Sequence, residues 1–124
     1  MNQRCHLVYA LAPKGVTARD ANDLFNEYIG DRGRGLAVWH DHFIGRHGGI
    51  AVFDVQTETE EAKLDDPGPL EGWELATYPL TFSRTAVGFV AQADFTLRAY
   101  RDVPLAELIE AEEPDKRHWW NRPS

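Results

Sequence analysis

Two rhythms of apolar residues run along the chain. In "CHLVYALAP", Cys5 to Pro13, a β-branched and aromatic centre ends at Pro13, Lys14 and Gly15, which predicts a first strand closed by a turn. The period then changes: Ala21, Leu24, Phe25, Tyr28 and Ile29 recur at the spacing of one helix face. Thr17 is placed to cap that helix, and Asp20 stands where a capping-box partner belongs and suits the positive end of the helix dipole. Gly30 and "DRGRG" end it. Leu36 to Ile44 and Ile50 to Gln56 read as two strands joined through "GRHGG", a hairpin whose turn centres on Arg46 and His47.

Beyond the hairpin, "TETEEAKLDD" has Thr57 or Thr59 as a cap and acidic residues in its first turn, which predicts a short helix. "DDPGPLEG" is a connector, and Gly72 to Phe82 is a fourth strand whose Pro79 calls for an edge position or an early end. "TAVGFVAQADFTLRAYR" fits both periods. Its length and its Ala, Gln, Leu and Arg content favour helix. Pro104 opens one more short helix, "PLAELIEAEE", which Pro114 stops.

Composition narrows the picture. A length of 124 residues suits one domain with one core. The single cysteine, Cys5, leaves no intrachain disulfide and fits a reducing compartment, where it serves packing. No secretory h-region and no membrane-length apolar run occurs, so a cytoplasmic protein without membrane contact is expected. A net charge of −7 opposes binding to nucleic acid. The one basic gathering, Lys116, Arg117 and Arg122 around Trp119 and Trp120, is short and follows the acidic "ELIEAEEPD". No dinucleotide fingerprint or phosphate loop is present.

The order strand, helix, strand, strand, short helix, strand, with helical additions, resembles the α+β ferredoxin-like βαββαβ plan. The small size and C-terminal extension are similar to the dimeric α+β barrel superfamily within it. The resemblance covers roughly residues 5 to 101 and rests on element order. It implies one domain over residues 1–124 with a C-terminal arm from about residue 102, a homodimer formed through the sheets, and a ligand cavity between sheet and helices. The superfamily includes cofactor-free monooxygenases, isomerases, haem enzymes and members without known activity. Trp119 and Trp120 would be covered by docking of the arm.

Within "AVWHDHFIGRHGGIAVFDV", strand alternation puts His40 and His42 on one face and Trp39, Asp41 and Phe43 on the other. A His-x-His pair can grip a metal, but zinc needs further ligands. In the strand order the resemblance implies, with strand one interior and strand two at an edge, His47 at the turn and His6 on strand one are badly placed to supply them. No bound metal or other cofactor is therefore expected. Either histidine, sharing a face with Val38, Phe53 and Val55, is a candidate general base. The same polar groups also guard an exposed strand edge without any chemistry. Tyr9, Tyr28, Phe53 and Trp73, with Tyr78, are candidates to line a pocket for a flat organic ligand, or to be plain core. The expected function is binding of a small organic molecule, with cofactor-free proton transfer or oxygenation as its chemistry. A non-catalytic dimeric interaction protein and a His-x-His metalloprotein are the alternatives.

Overall fold

Helix α1 shows how local sequence builds this molecule. The computed structural model describes residues 4–112. In it Thr17 caps α1 (Ala18–Gly30), its hydroxyl accepting from the Asp20 N–H, as the sequence pattern requires. Ala21, Phe25 and Tyr28 are buried, and Leu24 and Ile29 pack against the same core. Thr57 caps α2 (Glu58–Leu64) in the same way, accepting from the Glu60 N–H.

Four strands pair into one antiparallel sheet: β1 (Cys5–Leu11), β2 (Leu36–His42), β3 (Gly48–Asp54) and β4 (Glu74–Pro79). Their order is β2-β3-β1-β4, so β1 and β3 are interior and β4 is an edge that Pro79 can close. With α3 (Ala86–Arg101) and α4 (Leu105–Glu112), the described residues form an α+β fold with four α-helices. Residues 86–101 are helical, which resolves the double periodicity there. Trp119 and Trp120 lie outside the described residues.

Strand alternation sorts the sheet into two faces. Val8 and Ala10 of β1 and Ala51 and Phe53 of β3 join Phe25, Tyr28, Leu64 and Leu70 in the core beneath the helices. Each fully buried large side chain there contributes about 1.5–3 kcal/mol. Leu7, Tyr9, Ile50, Val52, Ala76 and Tyr78 alternate with them on the opposite face, where Val52 is buried and Trp39 beside it stacks on Phe89 of α3 at 6.5 Å. At one end of that face Asp54 is buried, accepting from Arg4 Nε and Nη2 at 2.9 and 3.0 Å and from the Ala86 N–H at 3.0 Å. Cys5 is fully buried, and burial, followed by the charge of Asp54, pushes its thiol pKa up, as befits packing rather than reactivity.

Two details set the hairpin. Val38 is an extra residue in β2: Ala37 pairs with Phe53, yet Trp39 pairs with Val52. Gly49 is required by packing, because a Cβ there would run into the Phe25 ring and into the Asp41 carbonyl. The chain divides into two compact units, Met1–Phe89 and Val90–Ser124, with the division inside α3. The first holds the sheet, α1 and α2. In the second, Asp94 accepts from Arg98 Nε and from the Leu105 N–H, both at 2.8 Å, linking α3 to the start of α4.

Candidate functional site

The bulge at Val38 decides where the histidines go. Past it, His40 pairs with Ala51 and His42 with Gly49, which places both rings on the helix side of the sheet. The rings lie 5.5 Å apart, nearly perpendicular. His42 sits edge-on to Phe25, and its Nε2 is 3.1 Å from Asn26 Oδ1 on α1. An amide oxygen only accepts, so Nε2 carries the hydrogen and the lone pair of the neutral ring is on Nδ1. Nδ1 is buried and meets no partner. Burial, and after it the neighbouring His40, lowers the His42 pKa, while Asp41 opposes them. His42 is thus an imidazole held neutral, with one unused acceptor turned inward.

The other two histidines described here have structural partners. His6 is buried, its Nδ1 3.1 Å from the Arg4 carbonyl and its Nε2 3.2 Å from Glu61 Oε2 on α2. His47 lies at the hairpin tip, with Nδ1 2.8 Å from the Val16 carbonyl. Among the described residues no group of three His, Cys, Asp or Glu side chains could hold a metal ion.

Of the aromatic candidates, Tyr28 and Phe53 meet at 6.0 Å in the core, and Trp73 packs against the same cluster. The Tyr28 hydroxyl donates to the Leu64 carbonyl at 2.5 Å, and burial pushes its pKa up to about 12. Tyr9 lies on the other side of the sheet, its ring 5.8 Å from that of Phe43. The structure thus brings Tyr28, Phe53 and Trp73 together and leaves Tyr9 and exposed Tyr78 on the opposite face.

Tyr9 has other company. With Leu11, Phe43, Ile44 and Arg46 it lines a groove of about 420 Å³ at the hairpin end of that face. Sequence reasoning named Tyr9 and missed the rest. The signal was present: Phe43 and Ile44 are apolar residues at the end of an edge strand, and Ile44 is fully exposed. Sequence reasoning also missed Arg34, which sits among glycines as a turn residue would. It is 1% exposed, with its guanidinium 3.9 Å above the Tyr28 ring and donating to the carbonyls of Tyr28, Lys63 and Asp66. No described helix is long and apolar enough to cross a membrane. Comparison of the chain with known protein families, curated proteins and solved structures finds no match in any of the three.

Proposed function

We propose that this chain is a ferredoxin-like module that pairs with a second copy through the sheet face opposite α1 and α2 and holds a small organic molecule there. The strand order β2-β3-β1-β4 with antiparallel pairing supports the fold reading. The observation that carries the functional reading is the asymmetry of the sheet. One face is sealed by α1 and α2, while the other presents Leu7, Tyr9, Ile50 and Tyr78 beside the groove at Phe43 and Ile44. A second copy offers the same strip, flanked by Asp41 and Glu74, so a two-fold pairing matches apolar to apolar along its centre. A groove at the edge of such a pairing becomes a lined cavity, the usual form of a small-molecule site.

This reading assigns binding to the groove and no reaction step to His40 or His42, which lie on the helix side. A native mass spectrum of the purified chain tests it. The expected species is about 28 kDa, twice the 14.1 kDa chain, and Ile50→Lys should return it to the single-chain mass while circular dichroism stays unchanged. A wild-type spectrum showing only the single chain would sink the pairing.

A second reading, a non-catalytic interaction protein, is favoured by α3 and α4. Neither helix buries any of its residues, and Val87, Phe95, Tyr100, Leu108 and Ile109 are exposed. Persistence of the dimer mass in Ile50→Lys, with loss in Phe95→Lys, would favour it.

A further inference from the structure

Two hollows meet at Arg46. The first is the apolar groove of Tyr9, Leu11, Phe43 and Ile44. The second, about 330 Å³, lies between the loop after β1 and the hairpin turn and includes Lys14, Val16 and His47. Arg46 alone lines both.

The second hollow is tied together by its own hydrogen bonds. The Ala12 N–H donates to the His47 carbonyl at 2.9 Å, and His47 Nδ1 donates to the Val16 carbonyl at 2.8 Å. The two loops therefore hold a common geometry, and the His47 ring is fixed with Nε2 remaining for another partner. Lys14 and Arg46 are exposed, and among the described residues no carboxylate lies within 4.0 Å of either. In a chain of net charge −7, a pair of cations without counter-charges beside an apolar groove is a selective feature. The acidic residues nearest in register, Glu74 beside Leu11 and Asp41 beside Ile50, line neither hollow.

We infer that the two hollows form one site for an amphipathic organic anion. Its apolar body lies on Tyr9, Leu11, Phe43 and Ile44, and its carboxylate or phosphate head sits between Arg46 and Lys14. The guanidinium supplies a planar fork of donors that matches either head, and the ammonium adds a point charge. The tilted Tyr9 and Phe43 rings, 52° apart, give an aromatic or alkyl body two surfaces to touch. This inference rests on the reading that the open sheet face binds a small organic molecule, and it names the chemical class of that molecule.

Amide and aromatic NMR shifts of the full-length protein, titrated with 4-phenylbutyrate, phenyl phosphate and the neutral 4-phenylbutyramide, test it. The expected result is saturable change at Tyr9, Phe43, Lys14 and Arg46 with one or both anions, the tighter one identifying the head. The amide should bind at least about tenfold more weakly, the scale of a lost charge-assisted contact. Arg46→Gln should weaken the anions by a similar factor and leave the amide unaffected, while Phe43→Ala should weaken all three. Equal binding of amide and anions at the groove would overturn the anionic head and leave the small-molecule reading in place. Absence of shifts at Tyr9 and Phe43 with every probe would overturn both.

Discussion

A histidine whose lone pair is buried against a helix couples stability to pH with a definite sign. In the folded chain the His42 pKa lies below its ordinary 6.5, because burial and His40 disfavour the charged ring. The unfolded chain therefore binds more protons once the pH falls through about 6.5, and the His42 contribution, complete above that value, is lost on acidification. Urea midpoints measured from about pH 7.5 to about pH 5 should fall, and His42→Gln should flatten that part of the curve. An unchanged slope in the variant would mean that His42 is not the group responsible. Asp31 and Asp94 act in the same direction in a lower window, below 3.8. The Gly33 N–H and then Lys63 hold the Asp31 carboxyl down, and the Leu105 N–H and then Arg98 hold Asp94 down. The shared face of His40 and His42 was legible in the sequence, because strand alternation alone provides it. Their partners were not, since Asn26 and Phe25 come from α1 and their approach depends on packing distances that no spacing encodes.

Arg34 shows how one side chain can hold several elements in place. It joins the end of α1 to the end of α2 and the loop after it by donating to three main-chain carbonyls, of which those of Tyr28 and Lys63 also accept from main-chain N–H groups. Leaving the Asp66 carbonyl without this donor costs about 1–3 kcal/mol, and the two other charged-donor hydrogen bonds are lost with it. Arg34→Met should therefore destabilise the chain by more than about 2 kcal/mol in chemical denaturation, and Arg34→Lys should recover little, because an ammonium cannot reproduce the fork. A loss in Arg34→Met below about 1 kcal/mol would show that the Asp66 carbonyl finds another donor. Elements with strong local signals were legible: the face of α1, the caps Thr17 and Thr57, the hairpin, and Pro79 on an edge strand. Arg34 was not. A charged residue between glycines looks like a solvated turn, and only the fold shows Tyr28 beneath it.

At the scale of the whole molecule, burial is uneven. The strands β1 and β3 are interior and supply four of the nine residues of the buried core cluster, whereas α3 and α4 bury none of their residues. Backbone hydrogen bonds beneath packed side chains open only with large-scale unfolding, and those of unburied helices open locally. Amide hydrogen exchange should therefore be slowest in β1 and β3 and faster by orders of magnitude in α3 and α4. Comparable protection in all four would mean that these helices are covered in solution.

The extra residue at Val38 makes the hairpin tolerant in heredity as well as kinked in space. Only the one-residue offset puts His40 and His42, rather than Trp39 and Asp41, under α1. A slip that paired Val38 with Val52 would put Trp39 opposite Ala51 and Asp41 opposite Gly49, whereas an in-frame loss of the Val38 codon would leave Trp39 opposite Val52 and His40 opposite Ala51 in an unbroken ladder. A lineage carrying this fold could therefore absorb a single deletion at that position and keep its histidine-lined helix side, where a deletion within an unbroken ladder would turn over every residue beyond it.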